Sequence, residues 1–168
     1  MRQAFPRRQG RRSWAPHGAA LVLGCGLAAA LVASAAAQQP AEGASRYAWD
    51  GVYTDIQADR GEREYGRTCS HCHGLSLEGD GAREIPTLMS DPFMRRWRGR
   101  TVEALFDTLT RSMPADDRGT LTPRATADLV AYLLRANGAP AGEAPLPSER
   151  AAIAAIVIDR KSSDTPSP

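Results

Sequence analysis

Residues 69–73 read Cys-Ser-His-Cys-His, which puts two thiols and two imidazoles within five positions. Two cysteines separated by two residues and followed at once by a histidine form the attachment motif for c-type haem. The spacing has a chemical reason. Each thiol adds across one vinyl group at the porphyrin edge and leaves a thioether, and two intervening residues let both sulfurs reach neighbouring vinyls. His73 then falls beneath the ring, where its imidazole can bind the iron. His71, at a variable position of the motif, reads as a surface-loop histidine. A Cys-x-x-Cys pair can also form a redox disulfide or half of a zinc site. Zinc needs a second pair of soft ligands, and beyond residue 37 no cysteine or histidine lies outside the motif. A disulfide oxidoreductase motif belongs in a βαβ context, and the sequence has no such pattern.

An iron bound by one histidine keeps an open face. The soft candidates beyond residue 37 are Met89, Met94 and Met113. Met113 stands 40 residues past His73, after Val102, Leu105, Phe106 and Leu109, which recur on one helical face. Pro114 follows directly, and the residue before a proline is pushed out of helical geometry. The helix is predicted to end near Met113, in a loop that can turn the thioether toward the metal. Met113 is the preferred ligand, with Met89 or Met94 as alternatives. Thioether ligation favours ferrous iron and raises the potential.

The elements around these residues follow from local signals. A first helix is predicted from Thr54 to about Thr68, with Thr54 and Gln57 as a capping box and Ala58, Gly61, Tyr65 and Cys69 on one face. Gly61 costs helix stability, which suggests that another backbone passes close to it. A glycine-rich loop covers 74–84, followed by Ile85-Pro86-Thr87-Leu88 and an irregular stretch to Gly99. A second helix is predicted over 101–112. A third starts at Thr122 as N-cap with Pro123 behind it, carries the stripe Ala125, Leu129, Tyr132, Leu133 and Ala136, and stops at Gly138 and Pro140. Nothing alternates with period two, so almost no sheet is expected. The run Ala151 to Ile158 adds a short helix or extended segment. The core is small, and a porphyrin slab would give Leu88, Phe93, Trp97, Leu105, Phe106 and Leu121 a surface to pack on.

The amino terminus is basic up to Arg12, uncharged from Ala19 to Ala37, and closes on Ala35-Ala36-Ala37. That is an export signal with a small-residue cleavage pattern, and retention as a membrane anchor is the alternative. The first 37 residues hold five arginines and no acid, so the remainder has 16 basic against 19 acidic side chains, a net of −3. Outside the signal only Arg95, Arg96, Arg98 and Arg100 cluster, so no nucleic acid is expected as a partner. If the negative charge gathers near the haem edge, docking to a basic partner patch should be salt-sensitive. The expected organisation is a signal peptide over 1–37, a lead-in over 38–53, a haem domain over 54–140, an extension over 141–160 that packs on it, and a disordered tail over 161–168.

In this order the residues resemble a class I cytochrome c over about residues 52–158. In that family a glycine and an aromatic on the first helix interlock with an aliphatic and an aromatic on the last, and Gly61, Tyr65, Leu129 and Tyr132 match. Pro86-Thr87-Leu88 is similar to the family's proline-x-leucine segment. This implies that the Pro86 carbonyl accepts the second N–H of His73. Met113 matches the axial methionine. Trp97, with Arg98 and Arg100, matches residues that reach the haem propionates. The resemblance implies an all-α fold of about three main helices and long loops around one covalent haem c. Cys69, Cys72, His73, Met113, Pro86, Leu88 and Trp97 would contact the haem, and His73 and Met113 would bind the iron. The phrases TVEALFDTLTRSMP, LVAYLLRANGAPAG and PLPSERAAIAAIVI are similar to cytochromes that accompany quinoprotein dehydrogenases. The implied function is a periplasmic electron carrier, without bond-making catalysis, between a donor dehydrogenase and an acceptor such as a terminal oxidase. The membrane enters only if the N-terminal segment is retained. The alternatives are a haem enzyme or gas sensor with an open or labile sixth site, and a haem-free disulfide or zinc module.

Overall fold

In the computed structural model, residues 46–160 are described. The expected export signal over 1–37, the first part of the lead-in and the tail over 161–168 lie outside the described residues. Six helices carry the described chain: α1 (Asp55–Thr68), α2 (Ser70–His73), α3 (Ser90–Trp97), α4 (Val102–Ser112), α5 (Pro123–Ala136) and α6 (Arg150–Ile153). Two-residue strands β1 (Arg46–Tyr47) and β2 (Ile156–Val157) pair in parallel, the only sheet among the described residues.

Helix α1 starts where the capping signal puts it, with the Thr54 hydroxyl accepting the Gln57 N–H at 3.3 Å. The second half of the expected capping box is absent. The buried Gln57 amide turns away from the helix end and makes a pair of bonds to Leu146: Nε2 donates to its carbonyl at 3.0 Å and Oε1 accepts its N–H at 2.7 Å. A contact across 89 positions replaces a local one because it satisfies two buried backbone groups that nothing else reaches. Gln57→Ala should therefore lower stability by about 2 kcal/mol in a denaturant titration of the holoprotein. A cap residue without this tertiary role would cost a few tenths at most.

Helix α5 begins on Thr122, whose hydroxyl accepts the Ala125 N–H at 3.2 Å, with Pro123 at its first position. It ends at Asn137, and Gly138 follows at φ +83°, a left-handed conformation that glycine adopts freely. The buried surface is wider than the expected stripe. Every residue from Thr126 to Leu134 is buried, while Ala125 and Ala136 are only half-buried. The helix is covered on more than one side, because α1 crosses it and a cavity opens beside Leu129 and Leu133.

The α1–α5 crossing is as close as backbones permit. A Cβ at Gly61 would stand 1.9 Å from the Asp128 carbonyl oxygen and 2.9 Å from Tyr132 Cβ. Tyr65 and Tyr132 pack beside this point with ring centres 5.3 Å apart. Asp128, on the buried face, is held in a forked pair by Arg60 at 2.7 and 2.8 Å. Arg135 reaches Asp59 and Glu62 at the exposed edge, where ion pairs contribute little.

Helix α3 occupies part of the stretch expected to be irregular. Pro92 sits in its first turn, where a missing N–H costs nothing, and Phe93 and Trp97 form a buried i, i+4 pair. Arg95 and Arg96, between them, are exposed. Helix α4 buries Val102, Leu105, Phe106 and Leu109 and stops at Ser112. Met113 is extended, at φ −126° and ψ 147°, as the following proline requires. The apolar run near the C-terminus forms α6 and then β2. Ile153, Ile156 and Ile158 are buried, and Ile158 exchanges backbone bonds with Gly99 and Arg100 at 3.1 and 2.8 Å.

Candidate functional site

The motif is wound into the end of α1 and the single turn of α2. Cys69 donates its N–H to Tyr65 O at 2.9 Å, and the N–H groups of Cys72 and His73 return to Cys69 O at 3.1 and 2.9 Å. This turn brings positions 69, 72 and 73 to one side of the chain. All three line a cavity of about 950 Å³, within the size range of cofactor pockets. Phe93 and Trp97 of α3, Leu105 and Leu109 of α4, and Leu129 and Leu133 of α5 supply apolar walls. Pro86, Leu88 and Met113 line the same space. Met89 and Met94 are half-buried against the core but do not line it.

His73 is 8% exposed, and its Nδ1 lies 3.1 Å from the Pro86 carbonyl oxygen. A carbonyl can only accept, so this bond places the proton on Nδ1 and leaves Nε2 as the nitrogen with a free lone pair. The acceptor is itself fixed. Gly79 donates to His73 O at 2.8 Å, Leu88 N–H to Leu77 O at 2.8 Å, and the Thr87 hydroxyl to Glu78 O at 2.8 Å. The last two bonds, with the pair that Asp80 and Ile85 exchange at 3.0 and 2.9 Å, tie residues 77–80 to the 85–88 segment. Gly79 sits at φ +71°, and a Cβ there would approach Ile85 O to 2.5 Å. The Tyr65 hydroxyl donates to Gly74 O at 2.5 Å, and burial pushes its pKa up, so it remains a donor.

Cys69 and Cys72 are both free thiols. Burial pushes the Cys69 thiol pKa up, the Thr68 hydroxyl at 3.3 Å opposes the shift, and Glu64 and Cys72 add to it. Redox-active cysteines have lowered pKa values, so this environment is the opposite of a disulfide oxidoreductase's. Among the described residues no group of three or more His, Cys, Asp or Glu side chains is placed to hold a metal ion. Two thiols, an imidazole, a thioether and apolar walls around one cavity do fit a covalently attached haem.

Several expectations need correction. Phe106 is buried but does not line the cavity, because on α4 it lies about 100° around the axis from Leu105 and faces the protein core. Arg95 and Arg96 line the cavity, whereas Arg98 and Arg100 do not; Arg98 approaches Asp159 at 3.9 Å, and the Arg100 guanidinium lies 4.8 Å from the Trp97 ring centre. His71 belongs to α2 rather than a loop, and its Nε2 lies 3.9 Å from Asp116 at the cavity rim. Leu109, Leu129 and Leu133 add to the cavity wall, each from a helical face that the sequence pattern shows without pointing to the site.

A family model described as cytochrome c oxidase, cbb3-type, subunit III, matches residues 56–133. No curated protein matches the chain. Among solved structures, the sulfane dehydrogenase SoxCD from Paracoccus pantotrophus is similar, with a TM-score of 0.42 and 18% identity over 71% of this chain. The chain spans 66% of the length of that solved chain.

Proposed function

We propose that residues 56–133, which match the cytochrome family model, form a class I c-type cytochrome domain with covalently bound haem c, and that the chain is an exported monohaem electron carrier between a donor dehydrogenase and an acceptor such as a terminal oxidase. The donor is a quinoprotein dehydrogenase on the strength of the sequence phrases quoted above. When bound, the haem supplies a one-electron Fe(II)/Fe(III) couple. Cys69 and Cys72 would hold it through thioethers. His73 would bind the metal through Nε2, with Pro86 O orienting its ring. Met113 would supply a thioether ligand, and Pro86, Leu88 and Trp97 line the site. The haem domain is placed over 54–140, with 141–160 as an extension held partly by the Leu146–Gln57 bonds. The signal over 1–37 supports export; among the described residues no helix is long and apolar enough to cross a membrane.

The observation that carries this reading is that Met113 lines the same cavity as Cys69, Cys72 and His73, while the two other methionines of the mature chain do not. With nitrogen and sulfur both bound, the metal would have no position open to a small-molecule substrate. Charge at the rim is mixed: Arg95 and Arg96 stand with Glu84 and Asp116. The overall negative charge does not gather there, so steering by net charge should be weak. Exposure of the reduced holoprotein to carbon monoxide tests the reading. Slow or absent uptake, with a weak far-red sulfur-to-iron band in the oxidised protein, is expected. Rapid uptake with no such band would favour the open-site enzyme or sensor.

A further inference from the structure

The proton on His73 Nδ1 points to a carbonyl in a segment without helix or strand of its own, so something must hold that segment still. Its attachments to the neighbouring loop are the two backbone bonds that Asp80 and Ile85 exchange at 3.0 and 2.9 Å, Leu88 N–H to Leu77 O, and the Thr87 hydroxyl to Glu78 O. One more, beside Leu88, comes from far away in sequence. Asn137, the residue that ends α5, donates from Nδ2 to Leu88 O at 3.0 Å and to Leu133 O at 2.8 Å. Reversing the amide would put its oxygen against two carbonyl oxygens, so the donor orientation is the only one these partners allow.

We propose that Asn137 is a positioning residue for the metal-binding histidine: it ties the end of α5 to Leu88, and through the Pro86–Leu88 segment it fixes the carbonyl that accepts the His73 proton. Helix α5 offers a firm anchor for this purpose. It is buried from Thr126 to Leu134 and locked to α1 at Gly61. Leu133 and Leu88, the two residues joined by the amide, both line the cavity. One side chain thus connects the helix packing, a cavity wall and the acceptor of the histidine's proton. A firm N–H to carbonyl bond makes an imidazole a stronger donor to its metal. A stronger donor favours the ferric state, so loosening Pro86 should raise the potential.

This inference rests on reading His73 as the proximal ligand, and its test separates the two. Asn137→Ser is the deciding variant. A serine hydroxyl can bond back to Leu133 O within the helix, but it is too short to reach Leu88, so the helix end survives and only the tie is lost. Asn137→Ala removes both bonds. Arg135→Ala serves as the control, because it breaks the α5 ion pairs to Asp59 and Glu62 without touching the 85–88 segment. In holoprotein, exchange of the His73 Nδ1 proton followed by NMR should be about fivefold to tenfold faster in Asn137→Ser, the equivalent of one ordinary hydrogen bond. The midpoint potential should rise in both Asn137 variants and stay at the wild-type value in Arg135→Ala. Wild-type proton exchange and potential in Asn137→Ser would overturn the proposal and reduce Asn137 to a helix cap. A wild-type protein without attached haem would instead defeat the reading of His73.

Discussion

Met113→Ala is expected to keep both thioethers, lower the midpoint potential and let the ferrous protein take up carbon monoxide rapidly. A thioether stabilises ferrous iron, so its removal shifts the couple toward the ferric state, within the roughly 0.8 V that axial ligation spans. The backbone at this position does not depend on the side chain. Pro114 imposes the extended conformation, and Met113 N–H is held by Leu109 O at 3.0 Å. Alanine should therefore leave the loop in place and remove only the ligand. Some stability will be lost, on the order of 2 kcal/mol, because Met113 is packed against the core. A packing loss alone would neither open the sixth position nor move the potential. Unchanged spectrum and potential would hand the role to Met89 or Met94 and require a rearrangement of the cavity walls.

Gly61→Ala should destabilise the holoprotein by about 3 kcal/mol or more, a large part of the 5–15 kcal/mol typical of a domain. Helix propensity alone gives the opposite sign, since alanine in place of an exposed helical glycine stabilises by about 1 kcal/mol. The two effects are separated by the Asp128 carbonyl, 1.9 Å from where the new methyl would sit. That contact is with backbone on a buried helix, so relief requires α1 and α5 to move apart. Separation would also strain the Arg60–Asp128 fork and the Tyr65–Tyr132 contact. Denaturant midpoints of wild type and variant decide the sign, and a neutral or stabilised variant would contradict the crossing.

The parts of the molecule set by neighbouring residues could be read from the sequence. Thr122-Pro123 starts a helix through groups within one turn, Pro114 ends one at Ser112, and the haem-attachment spacing of Cys69, Cys72 and His73 lies within five residues. The parts set at a distance could not. Gln57 looks like half of a capping box, but its amide is claimed by Leu146, and no local rule foresees that partner. Asn137 looks like an ordinary helix terminator, and its bond to Leu88 becomes visible only when the 85–88 segment is laid beside the end of α5. Helix α3 was obscured because Pro92 and a run of arginines hide an apolar pair, Phe93 and Trp97, that is only one turn long. Arg95 and Arg96 replace Arg98 and Arg100 at the cavity because that helix fixes which way each arginine points.

The intact mass of the exported chain, purified from a host that matures c-type cytochromes and treated with a thiol alkylating agent, tests the covalent haem most directly. A chain heavier by one haem, with Cys69 and Cys72 both refractory to alkylation, is expected. A chain of unmodified mass with both thiols alkylated, from cells whose other c-type cytochromes mature normally, would contradict it.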